Sequence, residues 1–587
     1  MTEEYDIIME NVTYKYPNSE RPAIQDICLR VKKGEFVLIT GPAGAGKTTL
    51  CRCLNGLVPR FYGGEFKGDV IVKGYNTKRE EQSFLASMVG LLFQDPASQL
   101  LCATVKEELA FGPENLGIPP EKILQDLEKV LKDVRLEGYE ERSPHTLSGG
   151  EQQACALASI MMMHPSIYVL DEPTSNLDPL GSYRVFQLIK DLIRREKRTI
   201  IIVEHKLDEL VNLADRMLVM NEGQIILEGK PREIIKSNVD LLKELGLKVP
   251  QVSLLINKLK NSGLISDSPI PTTLDECYEL LSRVLKRKIV RKKAEKPMQH
   301  AERLSRVENN KTPIIEARDV HFVYPEGNVV ALRGVSLKIY EGDFLAILGQ
   351  NGSGKTTLVK HFTGLLRPTK GKIFIEGEDA ENFTISQLAT KVGYVFQNPD
   401  FQLVCRSVKE ELEFGPKNLG LSEDEIEKQV MNVAKDLNIL HLLQKNPRDL
   451  SKGEKQRVAV ASVLTMNPKV LIIDEPTTGQ DFGTAVKMME LYKRLNEEGI
   501  TIIIITHDMQ LAAEYAKRVV IMRNGTILCE GSPKEVFVQR QLLESTFLKP
   551  PQITILSQML SDYGIPPDVL SVDEMVDILT QLIRRGS

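Results

Sequence analysis

No stretch of the 587-residue chain approaches the ~20 consecutive apolar residues needed to cross a bilayer. The longest β-rich runs, such as Ile502-Ile503-Ile504-Ile505, are only strand length. The opening Met1-Thr2-Glu3-Glu4-Tyr5-Asp6 is acidic and lacks the basic-then-apolar pattern of a secretory signal. The chain therefore reads as soluble and cytosolic. A charge excess is missing too: the formal net charge is −5, which gives no general pull toward nucleic acid or an anionic membrane. The eight cysteines form no C-x-x-C pair and no His/Cys metal spacing. Cys51 and Cys53 read as small buried apolar residues in a reducing compartment. At this length several domains are expected.

What is there is a glycine loop. Gly41-Pro42-Ala43-Gly44-Ala45-Gly46-Lys47-Thr48-Thr49 follows an apolar strand, Phe36-Val37-Leu38-Ile39, and precedes a helix with Leu50, Leu54 and Leu57 on one face. This is the strand–loop–helix phosphate cradle. Its glycines let backbone N–H groups turn toward an anion, and the helix N-terminus adds partial positive charge. Lys47 can reach the β- and γ-phosphates, and the Thr48 hydroxyl can hold Mg²⁺. The pattern recurs as Gly349-Gln350-Asn351-Gly352-Ser353-Gly354-Lys355-Thr356-Thr357 after Phe344-Leu345-Ala346-Ile347-Leu348. Two copies in one context exclude an incidental glycine turn.

The whole chain is one unit written twice. Tyr16 and Tyr324 stand 308 residues apart, as do Lys47 and Lys355. Phe93-Gln94 and Phe396-Gln397, Leu147-Ser148-Gly149-Gly150-Glu151 and Leu450-Ser451-Lys452-Gly453-Glu454, and Asp171-Glu172 and Asp474-Glu475 all stand 303 apart. His205 and His507 are separated by 302. The repeat runs past this chemistry into two short helical appendages. The expected domains are a nucleotide-binding unit at 1–245, an appendage at 246–285, a charged linker at 286–311, a second unit at 312–545 and a second appendage at 546–587. The linker carries a basic cluster, Lys286, Arg287, Lys288, Arg291, Lys292, Lys293 and Lys296, read as solvated rather than as a lipid or nucleic-acid contact. Strands alternating with helical stretches predict an α/β fold with a mostly parallel sheet core. The amphipathic stretch from about Ala103 to Pro144 predicts a helical insert.

Ile167-Tyr168-Val169-Leu170-Asp171-Glu172 and Val470-Leu471-Ile472-Ile473-Asp474-Glu475 are apolar strands ending in paired carboxylates, and ligands bind at the carboxyl ends of parallel strands. Asp171 and Asp474 are placed to hold Mg²⁺. Glu172 and Glu475 are placed to orient and deprotonate an attacking water.

This ordered set resembles the ATP-binding-cassette (ABC) ATPases, twice over. The resemblance implies ATP and Mg²⁺ as cofactors and two tandem phosphate-loop ATPase domains. It implies that Tyr16 and Tyr324 stack on adenine. Gln94 and Gln397 match the glutamine that contacts Mg²⁺ and water. His205 and His507 match the histidine that contacts the γ-phosphate, and Asp178 and Asp481 fit the aspartate following the paired carboxylates. Leu147–Glu151 and Leu450–Glu454 match the family signature Leu-Ser-Gly-Gly-Gln. Cassettes of this family pair head to tail. Ser451 and Gly453 are thereby expected to close on the nucleotide at Lys47, and Ser148 and Gly150 on that at Lys355, within one chain or between two. Glu151 and Glu454 replace the usual glutamine and Lys452 the first glycine, so the two sites are expected to be competent but unequal.

The segments after the two glutamines, ending in Val-Lys-Glu-Glu-Leu-Ala-Phe-Gly-Pro and Val-Lys-Glu-Glu-Leu-Glu-Phe-Gly-Pro, resemble the ATPases of energy-coupling-factor importers of the cobalt or vitamin type. Gln99 and Gln402 match a second glutamine of the segment that docks a membrane coupling subunit. The first copy has Ala97-Ser98 where the second has Asp400-Phe401, so the two contacts are expected to differ. The reading is a peripheral subunit at the cytoplasmic face of the membrane. It would energise uptake of a vitamin or metal ion through a transmembrane coupling subunit and a membrane substrate-binding subunit, with no nucleic acid involved. The alternatives are a soluble twin-cassette ATPase acting on ribosomes or nucleic acid, for which no iron–sulfur cluster or long basic arm is evident, and a nucleotide sensor without turnover, which the intact Asp-Glu pairs disfavour.

Overall fold

The computed structural model describes residues 4–175, 177–265, 268–289, 312–325 and 328–585. Among the described residues no helix is long and apolar enough to cross a membrane.

The first cassette is built on two sheets. β1 (Tyr5–Lys15), β2 (Ile24–Lys32), β4 (Glu65–Val72) and β5 (Tyr75–Asn76) form a four-stranded antiparallel sheet in the order β2-β1-β4-β5. β3 (Phe36–Thr40), β6 (Val89–Leu92), β7 (Ile167–Asp171), β8 (Thr199–Val203), β9 (Arg216–Asn221) and β10 (Gln224–Gly229) form a six-stranded sheet in the order β10-β9-β3-β8-β7-β6. All its neighbours run parallel except β10 against β9.

The two sheets follow from their patterns. β2 alternates buried and exposed positions along most of its length, as a strand with one wet face must. β3, β7 and β8 are buried at every position, as central parallel strands covered on both faces must be. Val37, Ile39, Val169 and Ile201 from the parallel sheet pack with Ile7, Met9 and Val12 of the antiparallel sheet and Leu50 and Leu54 of the loop helix in one core. The expected mostly parallel sheet core is present; the antiparallel sheet beside it was not anticipated.

The helical insert comprises helices Val105–Asn115 and Pro120–Val134. The first starts on a Thr104–Glu107 capping box, which satisfies amide groups that a helix start leaves unpaired. The second buries Ile123, Leu127, Val130, Leu131 and Val134, one face at helical spacing.

The second cassette repeats this with β11 (Ile315–Tyr324), β12 (Val329–Ile339), β13 (Phe344–Leu348), β14 (Lys370–Ile375), β15 (Glu378–Asp379), β16 (Val392–Val395), β17 (Val470–Asp474), β18 (Thr501–Ile505), β19 (Arg518–Arg523) and β20 (Thr526–Gly531). Its sheets run β12-β11-β14-β15 and β16-β17-β18-β13-β19-β20, the same orders as in the first cassette.

Two compact units emerge. One takes in residues 1–257, 269–273 and 481–483, the other 258–268, 274–480 and 484–587. The helix Leu274–Ile289 runs four residues past the expected boundary at 285 and packs against the helix Gln552–Met559 of its own unit. That packing is why it does not group with residues 1–257. The expected linker beyond Ile289, with Arg291, Lys292, Lys293 and Lys296, lies outside the described residues.

Candidate nucleotide site

In the parallel sheet β3, β8, β7 and β6 are consecutive neighbours. The phosphate loop follows β3, His205 follows β8, Asp171-Glu172 end β7 and Gln94 follows β6. Residues from Gly41 to His205 are thus gathered at one carboxyl edge, where open α/β sheets bind ligands.

The loop itself needs its glycines. Gly46 has φ 94°, and a Cβ there would lie 2.4 Å from the Ala23 carbonyl oxygen. Gly41 has φ 155°, with its would-be Cβ 2.2 Å from the Met220 carbonyl oxygen. Lys47 Nζ, 5% exposed, donates to the Gly41 and Pro42 carbonyls at 2.8 Å each. Lys355 does the same with Gly349 and Gln350. Burial lowers the Lys47 pKa, so an incoming phosphate meets an ammonium group already stripped of most of its water.

Asp171 hydrogen-bonds the Thr48 hydroxyl, and burial above all pushes its pKa up to about 6. Asp474 Oδ2 accepts from Thr356 Oγ1 at 2.9 Å and from the Tyr394 hydroxyl at 2.9 Å. In both aspartates Oδ1 is buried without a hydrogen-bond partner. A buried carboxylate oxygen with no donor is costly, and a cation would relieve it. Among the described residues no three His, Cys, Asp or Glu side chains gather as a metal cluster. One hydroxyl and one carboxylate fit Mg²⁺, which completes its shell with phosphate oxygens and water.

The glutamates are held from two sides. Gln94 Nε2 donates to Glu172 Oε2 at 2.7 Å, and His205 Nε2 lies 3.0 Å from Oε1. Gln397 Nε2 donates to Glu475 Oε2 at 2.7 Å, and His507 Nε2 lies 2.8 Å from Oε1. Burial alone would raise the Glu475 pKa, but the His507 hydrogen bond and the His507 and Lys355 charges outweigh it, leaving the pKa lowered. The structure therefore brings together all six residues expected to carry the chemistry, three in each cassette.

Ser148 is the N-cap of helix Gly149–Met161, and its N and Oγ both donate to Glu151 Oε2 at 2.9 and 2.7 Å. Ser451 N and Oγ donate to Glu454 Oε2 at 2.8 and 2.6 Å. The glutamates that depart from the family signature are thus capping-box residues, their negative charge lying where a helix start favours it. Gly150 and Gly453 lie in the first turns of these helices. Tyr16 directly follows β1 and Tyr324 ends β11, their hydroxyls 3.2 Å from Thr49 and Thr357.

These loops, carboxylates and capped signatures match a known family over both halves: the ABC transporter family covers residues 24–175 and 332–478. The chain belongs to the ABC transporter ATP-binding family. A "Putative ABC transporter ATP-binding protein" of Caldanaerobacter subterraneus is 43% identical over 97% of this chain and 98% of its own length. A "Putative HMP/thiamine import ATP-binding protein YkoD" of Bacillus subtilis is 34% identical over 91% of this chain and 92% of its own. The solved structure of cbiO1 from Clostridium perfringens, described as part of the ABC transporter complex cbiONQ, is 40% identical. It covers 41% of this chain and 98% of its own, with a TM-score of 0.37.

The protein is thus a two-cassette ABC ATPase that binds ATP. Several of its site residues were not anticipated. Tyr394 bonds Asp474 from within β16, where the first cassette has Leu91. Thr478 Oγ1 donates to Glu475 Oε2 at 3.0 Å. Glu204, 1% exposed, accepts from Thr174 Oγ1 at 2.8 Å and from the His205 amide at 3.0 Å, where the second cassette has Thr506. The one available signal was the mismatch between repeats at these positions.

Gln99 and Gln402, expected as docking contacts, turn inward. Gln99 Oε1 accepts from the Phe93 amide at 3.1 Å. Gln402 Oε1 accepts from the Phe396 amide, and its Nε2 donates to Ala459 O and Ser462 Oγ at 2.8 and 3.0 Å. Buried Glu108 and Glu411 then hold the next turn, each taking two backbone N–H groups on Oε2, from Leu101 and Cys102 and from Val404 and Cys405. Among what the segment presents outward are large apolar side chains: Leu101 is 73% exposed, Phe401 78% and Val404 64%.

Proposed function

We propose that this ABC ATPase is the energising subunit of an energy-coupling-factor-type importer, working peripherally at the cytoplasmic face of the membrane. Each cassette binds ATP with Mg²⁺. Thr48, Asp171 and Gln94 hold the ion in the first, and Thr356, Asp474 and Gln397 in the second. Glu172 and Glu475 act as general bases on water, with His205 and His507 at the γ-phosphate. Tyr16 and Tyr324 stack on the base. The signature groups Ser148, Gly150, Ser451 and Gly453 close on a γ-phosphate bound by another cassette. ATP then favours the closed pair and phosphate loss the open one, a switch by differential binding.

The observation that carries the importer reading is the braced, apolar segment after each glutamine. Leu101, Phe401 and Val404 are large apolar side chains held out in water by carboxylate-anchored turns, next to the glutamine that touches the catalytic base. Exposed apolar groups standing close together, as Phe401 and Val404 do along the second segment, suit a partner surface. The likeness to the "Putative HMP/thiamine import ATP-binding protein" named above supports a vitamin as cargo.

The deciding experiment is a pull-down of the tagged chain from detergent-solubilised native membranes. A small coupling subunit with an integral-membrane binding protein supports the importer. Ribosomal proteins or nucleic acid with no membrane partner would leave only the ATPase.

A further inference from the structure

The two cassettes differ in length beside the phosphate-loop helix. Gly56 and Gly364 stand 308 apart, and Gly68 and Gly371 stand 303 apart. Eleven residues therefore lie between the first pair of markers and six between the second. The extra residues in the first cassette bring Tyr62 against Tyr16, just past the end of β1.

This insertion is pinned. The Tyr14 hydroxyl donates to the Gly63 carbonyl at 2.7 Å. Gly64, at φ 88°, runs so close to β1 that a Cβ would lie 2.3 Å from the Lys15 carbonyl oxygen. Tyr62 consequently meets Tyr16 edge to face, centroids 5.8 Å apart, while Tyr14 meets it from another side at 4.7 Å. Arg52, on the phosphate-loop helix, places its guanidinium 4.6 Å from the Tyr62 ring centre and donates from Nη1 to the Tyr16 hydroxyl at 3.1 Å. Among the described residues, the second cassette keeps only the counterpart of the Tyr14 contact. Lys360 stands where Arg52 does, no residue corresponds to Tyr62, and among the described residues the ring contact of Tyr324 is with Phe322 at 4.9 Å.

We propose that Arg52 and Tyr62 belong to the base-binding surface of the first nucleotide site and make that site hold adenine nucleotide more tightly than the second. The inference rests on the reading of Tyr16 as the residue that stacks on adenine. A ring fixed by two other rings and a guanidinium loses little freedom when a base arrives. Tyr62 adds a second π surface and Arg52 a cation suited to aromatic faces.

The test uses the full chain with one site disabled at a time. Lys355→Ala leaves the first site and Lys47→Ala leaves the second. A fluorescent methylanthraniloyl-ATP is bound and displaced by ATP or by inorganic tripolyphosphate, which has no base. In the Lys355→Ala chain, Tyr62→Leu and Arg52→Ala should each weaken ATP roughly tenfold, the scale of one stacking contact, and leave tripolyphosphate unchanged. Tyr62→Phe should bind like the parent, and in the Lys47→Ala chain Tyr62→Leu should change nothing. Unchanged ATP affinity in Tyr62→Leu and Arg52→Ala, with a loss in Tyr16→Ala, would overturn the proposal and leave Tyr16 stacking intact. No loss in Tyr16→Ala would remove the reading beneath it. Equal losses for ATP and tripolyphosphate would make Tyr62 a support of the loop and not a base contact, which also overturns it.

Discussion

Gln94 and His205 bind opposite oxygens of one carboxylate, Glu172 Oε2 at 2.7 Å and Oε1 at 3.0 Å. The backbone of Glu172 is fixed as well, at φ 48°, and Glu475 shares this at φ 49°. A non-glycine residue rarely adopts that conformation, and it costs on the order of 1–3 kcal/mol. The same conformation recurs in both cassettes, and in both the carboxylate lies between the glutamine and the histidine.

The first prediction concerns that carboxylate. Glu172→Gln with Glu475→Gln keeps an acceptor oxygen for Gln94 and Gln397 and removes only the basic charge. Hydrolysis should fall by roughly 10²–10⁴, the usual worth of a positioned general base, while ATP binding persists. Turnover assays and ATP retained through gel filtration check it. Rapid turnover by the double variant would remove both glutamates from the base role.

Much of this site was legible because its residues sit in short, order-preserving motifs. The loop, Asp171-Glu172, His205 and the signature each follow a recognisable strand or open a helix, and the duplication doubled every signal. The antiparallel sheet was harder to read. β1 pairs with β4 across some sixty residues, and nothing local in Glu65–Val72 names its partner. Gln99 and Gln402 were misjudged for a related reason: sequence places a polar residue in a loop but not the direction of its side chain, and here backbone amides claim it. Tyr394 and Thr478 were marked only by differing from Leu91 and Ser175 in the first repeat, because their role depends on where Asp474 and Glu475 end up.

The second prediction follows from Gly46. Gly46→Ala would force a Cβ to 2.4 Å from the Ala23 carbonyl at a positive φ, where an L-residue pays roughly 1–2 kcal/mol before any clash. ATP binding at the first site should be lost and the midpoint of thermal unfolding should fall, both measurable in the Lys355→Ala chain. Wild-type affinity would mean that the loop can relax.

The third concerns Glu151 and Glu454. Burial alone would raise both pKa values, but hydrogen bonds from Ser148 and Ser451 leave them lowered. A carboxylate with a depressed folded-state pKa stabilises above its unfolded pKa and ceases to as pH falls through the folded value. The double variant Glu151→Gln, Glu454→Gln should therefore lose less stability than wild type on acidification below about pH 4.5, an ordinary glutamate value. The same substitution removes negative charge beside Ser148 and Ser451, the serines proposed to close on a triphosphate. It should lower KM for ATP roughly twofold to fivefold at neutral pH, as a Coulomb term of about 0.5–1 kcal/mol would. Parallel acid-unfolding curves, or an unchanged KM, would separate the capping role from the electrostatic one.

The fourth concerns the exposed segment after each glutamine. Leu101 in the first cassette faces water alone, whereas Phe401 and Val404 do so together in the second, where Lys455 Nζ also ties Asp400 at 2.7 Å. Because these side chains touch none of the catalytic groups, Phe401→Ala with Val404→Ala should leave basal ATP hydrolysis unchanged and sharply reduce recovery of the membrane subunits in pull-downs. Leu101→Ala should do so less, since one apolar anchor is lost in place of two and an anchor in a desolvated contact contributes on the order of 2 kcal/mol. Glu411→Ala should mimic the double variant, because losing the carboxylate releases the Val404 and Cys405 amides and with them the turn that holds Val404 outward. If Glu411→Ala left the pull-down intact while Phe401→Ala and Val404→Ala abolished it, the apolar side chains would dock without the brace. If all three left it intact, the membrane partner would have to engage another face of the cassette.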